Sequence, residues 1–132
     1  MEYGLLLVIV FATLLGLGIG SFLNVVILRT KSEEPLTGRS HCPKCSNTLR
    51  WYELLPVASY VALRGQCAHC QNSISAQYPI VEAATAALFG ITALWFYDEP
   101  LRLAIYLVYI SFLLLIFVFD LKYYLIPDIF SI

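Results

Sequence analysis

The chain has 132 residues, of which 60% are hydrophobic and only 13% are charged, and its formal net charge is −1. A typical globular domain is about 45–50% apolar, so this composition excludes an ordinary water-soluble domain and indicates the bilayer as a second apolar solvent. The small net charge gives no indication of nucleic-acid binding. We therefore predict a membrane protein without a nucleic-acid partner.

The first predicted element is a transmembrane helix within residues 1–28. No charged residue occurs in the 24 residues from 5 to 28, and at about 1.5 Å each they span roughly 36 Å, enough to cross a bilayer. A signal peptide is the alternative. The segment before the apolar run carries Glu2 and no basic residue, and no small-residue cleavage site follows, which favours a retained helix.

Small and polar residues interrupt the apolar side chains of this helix. Gly16, Gly18, Gly20 and Ser21 form a stripe of small residues that favours the close approach of another helix. Asn24 is polar inside the span, and it either makes a packing hydrogen bond or faces a functional cavity.

Residues 29–77 form the only extended polar region of the chain. Six of the eight basic residues lie there: Arg29, Lys31, Arg39, Lys44, Arg50 and Arg64. By the positive-inside rule this loop is cytoplasmic, so the N-terminus is outside. Residues 51–63 are apolar but too short to span a membrane. We predict that they lie at the interface, with Trp51, Tyr52 and Tyr60 at the headgroup level.

All four cysteines lie in this loop as two Cys-x-x-Cys pairs, Cys42 with Cys45 and Cys67 with Cys70, and 21 residues separate the pairs. This spacing is typical of two knuckles that bind one Zn²⁺. Four thiolates complete a tetrahedron without an open position, which indicates a structural site. The alternatives are two disulfides or four unrelated buried thiols, and a reducing cytoplasm favours zinc. We find no internal repeat in the sequence.

Two further transmembrane helices are predicted over residues 80–97 and 101–119, and a tight exterior turn makes them antiparallel neighbours. Pro79 suits the first turn of the earlier helix. Glu82 is its only charge. This acid is either an N-terminal residue favoured by the helix dipole or a buried acid that faces a site.

The last of these helices returns to the cytoplasmic face, so its end brings Asp120 to the side of the cysteine loop. By position alone, Asp120 could be only a solvated helix end. Pro127 and Asp128 follow, and a proline there predicts a helix break with a shaped loop.

These elements predict an all-α membrane protein with three transmembrane helices and a cytoplasmic zinc-ribbon-like loop between the first and second. We divide the chain into the first helix (1–28), the cysteine loop (29–77), and the second and third helices with the start of a loop around Asp120 (78–132).

Seven short sequence motifs follow one another between residues 20 and 128. They are Gly20-Ser21-Phe22-Leu23-Asn24-Val25, Arg39-Ser40 before Cys42-Pro43-x-Cys45, Leu49-x-Trp51-x-Glu53-Leu54-x-Pro56, Leu63-Arg64-Gly65-x-Cys67-x-x-Cys70, Ile74-Ser75, Tyr78-Pro79-x-x-Glu82 and Asp120-x-Lys122-x-x-x-Ile126-Pro127-Asp128. Together they cover nearly the whole chain and resemble the N-terminal half of bacterial type IV prepilin peptidases.

The resemblance implies an aspartic endopeptidase of the bacterial inner membrane. Such enzymes remove the leader peptide from type IV prepilins and from type II secretion pseudopilins. Many also N-methylate the new N-terminus, usually phenylalanine, with S-adenosylmethionine. By motif position, Asp120 matches the first catalytic aspartate, and Asp128 is a loop-shaping or capping residue.

Peptide hydrolysis by this chemistry needs two carboxyl groups that share one proton. In the family, the second aspartate lies in a Gly-x-Gly-Asp motif, which does not occur in this sequence. We therefore expect a truncated protein or gene fragment that has no peptidase activity by itself and depends on a C-terminal half with the second aspartate.

The site of methyl transfer stays open at this point. No glycine-rich nucleotide loop follows a strand, and the candidates near the cysteine loop are Glu53, Arg64 and Glu82. A non-catalytic membrane zinc-binding module that docks a partner protein is the alternative function. A structural membrane subunit is a third possibility. Asp120, followed by Pro127 and Asp128, favours the peptidase.

Overall fold

Three long helices, each apolar enough to cross a membrane, form the frame of the protein. The computed structural model describes residues 2–130, with side chains described as far as Lys122. The long helices are α1 (Glu2–Ser32), α3 (Gln77–Phe96) and α4 (Pro100–Phe130). The connection between α1 and α3 contains a 3₁₀ turn (Trp51–Leu54) and the short helix α2 (Ala58–Ala62). Within the described chain there is no strand longer than an isolated bridge, so the predicted all-α membrane fold is confirmed.

Helix α1 packs closely along α3 through two of its glycines. A Cβ on Gly16 would lie 2.7 Å from the Cα of Ala86, and a Cβ on Gly20 would lie 2.7 Å from the Cα of Glu82. No atom lies within 4 Å of the corresponding point on Gly18. The predicted small-residue stripe is therefore right for Gly16 and Gly20 and wrong for Gly18, because residues two apart on a helix do not share a face.

This contact gives a matched pair of substitutions. We expect Gly16→Leu to destabilise the protein by about 1–3 kcal/mol or more, because the new side chain meets the backbone of α3. Gly18→Leu raises the helix propensity by the same amount, but its side chain meets no atom of α3, so we expect no loss of stability. Unfolding of both variants by denaturant in detergent micelles measures the difference. Equal stabilities for the two variants would contradict this account of the α1–α3 contact.

Helix α4 lies mainly against α3 and turns most of its apolar side chains outward. Near its start, the ring of Tyr106 stacks on Phe96 with centroids 4.7 Å apart, and Leu103 joins a small core with Phe89 of α3. Farther along, side chains such as Phe112 are exposed in the isolated chain. Such a surface suits lipid or further apolar helices.

The predicted break after Asp120 is wrong. The backbone of α4 remains helical to Phe130 and passes through Pro127, so a loop does not begin within residues 120–130. Apolar and aromatic residues dominate this segment, and proline is tolerated in membrane helices better than in soluble ones. The side chain of Asp128 lies outside the described residues.

Arg29 ties the start of the cysteine loop to the end of α1. Its side chain is buried. Its guanidinium donates hydrogen bonds to four backbone carbonyls within residues 35–39. The acceptors are Pro35 at 3.0 Å, Thr37 at 2.7 Å, Gly38 at 3.0 Å and Arg39 at 3.3 Å. Helix α1 continues past the predicted end at residue 28 to Ser32, and the chain then folds back onto Arg29.

Candidate functional site

Each cysteine pair lies in a knuckle with the same backbone hydrogen bonds. In the first, the N–H of Cys42 donates to the carbonyl of Asn47 at 3.0 Å, and the N–H of Ser46 donates to the carbonyl of Cys42 at 2.9 Å. The second knuckle repeats both bonds, from Cys67 to Asn72 at 2.9 Å and from Gln71 to Cys67 at 3.0 Å. These bonds turn both sulfurs of a knuckle toward one centre.

The two knuckles form an internal repeat, which the sequence analysis missed. A single antiparallel bridge closes each one, His41 with Thr48 and Gln66 with Ser73. Residues 41–49 and 66–74 thus share one fold, although they have little in common beyond the cysteines and an asparagine two residues after each pair. The sequence signal for the repeat is the shared Cys-x-x-Cys-x-Asn pattern.

The four sulfurs form a compact cluster. All Sγ atoms lie within 4.8 Å of one another. The Sγ atoms of Cys42 and Cys70 are 3.8 Å apart, and those of Cys45 and Cys67 are 4.0 Å apart. These separations exclude disulfides, whose sulfurs are about 2.05 Å apart. A tetrahedral Zn²⁺ with Zn–S bonds of about 2.3 Å separates its sulfurs by about 3.8 Å, so the cluster fits a four-coordinate metal ion.

The thiols of the cluster differ in acidity. The backbone N–H and the side-chain amide of Asn72 lower the pKa of Cys70 to about 6. A backbone N–H at Asn47 acts in the same direction on Cys45, but desolvation and the neighbouring thiols raise the pKa of Cys45 to about 11. Thiols this close cannot all ionise by themselves. A bound divalent cation supplies the positive charge that four thiolates need.

Glu53 lies between the residue that follows the first knuckle and the second knuckle. Its carboxylate is buried, and its Oε2 accepts a hydrogen bond from the N–H of Arg50 at 2.6 Å. Its Oε1 lies 3.6 Å from Nε2 of His69, the residue before Cys70. Arg64, by contrast, is exposed in the turn before the second knuckle, with a backbone φ of 53°. The structure therefore does not bring Arg64 together with the two glutamates.

A cavity of about 330 Å³ lies between α1, the cysteine loop and the start of α3. Asn24, Glu53 and Glu82 all line it, together with apolar side chains such as Leu28 and Leu63. The side chain of Asn24 is 2% exposed, and its Nδ2 donates to the carbonyl of Tyr78 at 3.0 Å. Its Oδ1 is fully buried and has no hydrogen-bond partner within the described structure.

Glu82 holds the cysteine loop against the membrane helices. Its carboxylate is buried beside Ser21, and its Oε2 accepts a hydrogen bond from the N–H of Val57 at 2.7 Å. The φ of Val57 is 59°, which is rare for a β-branched residue. Glu82 lies beyond the first turn of α3. The first-turn explanation of this acid is therefore wrong, and the acid is buried.

Asp120 lies apart from this cavity, in a groove between α1 and α4. The groove has a volume of about 370 Å³. Its lining residues are Val26, Thr30, Leu115, Ile116, Phe119 and Asp120. Since Val26 and Thr30 are near the end of α1 that leads into the cysteine loop, Asp120 is at that same end of the bundle. No other acid is among these lining residues.

The comparisons with known proteins identify the family of the chain. Residues 14–96 match the family model described as the bacterial peptidase A24 N-terminal domain. The prepilin leader peptidase/N-methyltransferase of Myxococcus xanthus is 40% identical over 119 residues, covering 89% of this chain and 35% of that protein. The protein of the same name from Vibrio cholerae is 33% identical over 142 residues, covering 98% of this chain and 53% of that protein.

A third relative is the type 4 prepilin-like proteins leader peptide-processing enzyme of Escherichia coli, 36% identical over 141 residues, which cover 92% of this chain and 52% of that protein. No solved structure matches the chain. The chain thus spans between 35% and 53% of the length of these three relatives. The chain belongs to the family of bacterial prepilin leader peptidases/N-methyltransferases and corresponds to its N-terminal part.

Proposed function

We propose that the full-length protein is an aspartic endopeptidase of the bacterial inner membrane. It removes the leader peptide from type IV prepilins and from type II secretion pseudopilins, and it N-methylates the new N-terminus with S-adenosylmethionine. The observation that supports the peptidase most directly is the groove that contains Asp120, at the loop-proximal end of the helix bundle. The names of the relatives support both activities.

In the proposed peptidase mechanism, Asp120 is one of two carboxyl groups that share a proton. An ionised carboxylate takes a proton from water while a protonated carboxyl polarises the scissile carbonyl, and two like charges a few ångströms apart enforce this unequal protonation. Among the residues lining the groove, Asp120 is the only acid. We propose that another segment of the full-length protein supplies the second carboxyl, and that Asp128 has a supporting role.

The metal of the four-cysteine cluster is, in this proposal, a structural Zn²⁺. Cys42, Cys45, Cys67 and Cys70 would hold it, and four thiolates leave no coordination position for a substrate. The ion contributes folding free energy to the loop, since its four ligands come from two cysteine pairs that are separated by 21 residues of the chain. Glu82 then holds the folded loop on helix α3 through the bond from Val57, while Glu53 accepts a bond from Arg50 within the loop.

The basic residues set the proposed orientation. Arg29, Lys31 and Arg39 follow the first span, which favours a cytoplasmic cysteine loop and a periplasmic N-terminus. A cytoplasmic loop also keeps its thiols reduced and available to the metal. Asp120 then acts at the cytoplasmic side of the membrane.

The test is a two-product assay with the full-length protein in detergent and a purified prepilin. With isotopically labelled S-adenosylmethionine present, we expect mass spectrometry to detect loss of the leader and one labelled methyl group on the new N-terminus. Without the methyl donor, the leader should still be removed. A zinc-loaded protein that removes no leader from prepilins or pseudopilins would refute the proposal.

A further inference from the structure

An apolar face lies open on the segment of residues 51–63, which contains the 3₁₀ turn and α2. Trp51, Leu55 and Val61 are 74%, 45% and 68% exposed. None of these three side chains lines the cavity behind the segment, which Tyr60 lines from within. The segment therefore has an inner side against the cavity and an outer side of exposed apolar groups. Contiguous apolar surface of this kind marks a contact with a membrane or another protein.

Charged groups stand at the two ends of this segment and are missing from its outer side. Glu53 is the only charged residue among residues 51–63, and its carboxylate is buried. Arg50 and Arg64 directly flank the segment, and both are exposed. The Nη1 of Arg50 donates to the hydroxyl of Tyr52 at 2.8 Å. An uncharged apolar face between two cations complements an anionic lipid surface, because arginine side chains reach the phosphates from the edge of an apolar layer.

The contact with Glu82 sets the depth of the segment along the membrane helices. The carboxylate of Glu82 lies beside Ser21 and accepts the N–H of Val57 at 2.7 Å. Ser21 precedes Arg29, the first charge after the apolar run of α1, by eight residues, or about 12 Å of helix. Glu82 precedes the far end of α3 at Phe96 by 14 residues, or about 21 Å, and the hydrocarbon core is about 30 Å thick. Both measures place the turn at Val57 within the hydrocarbon layer, on the side of the cysteine loop.

The backbone of this turn is hydrogen-bonded as a bilayer requires. The φ of Val57 is 59°, and the buried carboxylate of Glu82 accepts its N–H. The amides of Ser59 and Val61 donate to the carbonyls of Leu55 and Val57 at 3.1 Å and 3.0 Å. A backbone group without a partner is costly in a membrane, because no water is there to replace the partner. Glu82 thus satisfies a backbone donor at a depth where water cannot.

We propose that residues 51–63 insert into the leaflet on the side of the cysteine loop, with their outer side among the acyl chains and with Arg50 and Arg64 at the phosphates of anionic phospholipids. This position is deeper than the headgroup level predicted from composition. The outer side is continuous with α1 and α3, which are long and apolar enough to cross the membrane. Lipid therefore suits this side better than a soluble partner. Glu82 is a positioning residue that holds the turn at this depth.

Electron paramagnetic resonance measures the depth of the segment in the full-length protein. The protein is reconstituted into vesicles of phosphatidylcholine and phosphatidylglycerol, and a nitroxide is attached to a keto amino acid at one position at a time, so that the cysteines stay unlabelled. Power saturation compares collisions with oxygen, which concentrates among acyl chains, and with a nickel chelate, which stays in water. At Leu55 and Val61 we expect an oxygen-to-nickel ratio at least threefold above that at Lys44, an exposed residue of the first knuckle.

A label at Ile91 gives the lipid reference, because its side chain is exposed on α3. A ratio at Leu55 and Val61 equal to that at Lys44 would overturn the inference and place the segment in water. Labels at these positions that neither reagent reaches would also overturn it, because another part of the protein would then cover the outer side.

Two substitutions of Glu82 test its positioning role. Glu82→Leu removes the acceptor for Val57, and we expect the ratio at Leu55 to fall at least twofold toward that at Lys44. Glu82→Gln keeps a side-chain oxygen that accepts the N–H and should keep the wild-type ratio. Zinc content at the wild-type value shows that the cysteine loop of each variant is folded. A wild-type ratio in Glu82→Leu would contradict this role.

The double substitution Arg50→Gln with Arg64→Gln tests the contact with anionic lipid. In vesicles that contain phosphatidylglycerol, we expect the ratio at Leu55 to fall at least twofold below the wild-type value. In vesicles of phosphatidylcholine alone, the two proteins should give the same ratio. Lys44→Gln removes an exposed cation of the first knuckle and should change neither value. Equal ratios for the double variant and the wild type in both kinds of vesicle would overturn the assignment of the arginines to anionic phosphates.

Discussion

Cys67→Ser is expected to abolish metal binding and to unfold the cysteine loop of the full-length protein. The Sγ of Cys67 lies 4.0 Å from that of Cys45, at the separation of two ligands of one metal ion. A serine hydroxyl stays protonated and is a poor ligand for Zn²⁺. Apparent binding free energies of structural Zn²⁺ are about 10–16 kcal/mol in zinc-finger peptides. Loss of an ion whose ligands come from both knuckles should therefore have a large effect on the fold of the loop.

Metal analysis and limited proteolysis measure this effect. We expect about one Zn²⁺ per chain in the wild-type protein, below about a tenth of that in Cys67→Ser, and rapid cleavage within residues 41–74 of the variant. Lys44→Gln is the matched control, because Lys44 lies in a knuckle but is exposed and is not a ligand. Full zinc content and protease resistance in Cys67→Ser would contradict the proposed metal site.

The features that were predicted from sequence are those with a local physical signature. Long apolar runs predicted the three membrane helices, because the bilayer requires about 20 apolar residues whatever the fold around them. The spacing of Cys42, Cys45, Cys67 and Cys70 predicted their cluster, because a two-residue gap brings both thiols of a knuckle together. Element boundaries were less accurate, since α1 ends at Ser32 and α4 continues past Asp120.

Contacts between distant segments were not predicted. The bond from Val57 to Glu82 joins residues 25 positions apart, and the bond from Asn24 to Tyr78 joins residues 54 positions apart. Nothing in local composition identifies such partners, because the partners meet only after the helices have packed. The contacts of Arg29 were not predicted either. From the sequence, Arg29 was one of several basic residues of the loop, whereas in the structure it is buried and bonds to backbone carbonyls.

The sequence predicted which residues belong to the candidate site, but it did not predict how they are arranged. Asn24, Glu53 and Glu82 share one cavity, which the sequence suggested only for each residue separately. Arg64 is exposed and does not line this cavity. The roles of these residues and of Asp120 stay predictions, because geometry gives their positions and not their chemistry.

Asp120→Asn in the full-length protein tests the central claim most directly. The substitution keeps the size of the side chain but removes a carboxyl that must exchange protons during peptide hydrolysis. Loss of a general acid or base typically slows a reaction about 10²–10⁴-fold. We expect the rate of leader removal to fall by this factor, while zinc content and thermal stability stay at the wild-type values, because Asp120 is exposed in its groove.

Asp98→Asn is the matched control, since Asp98 is an exposed aspartate in the turn at the opposite end of α4. This variant should remove the leader at the wild-type rate. The measurement is the initial rate of prepilin cleavage by the three proteins under identical conditions. An Asp120→Asn protein that retains more than about a tenth of the wild-type rate would contradict a catalytic role for Asp120.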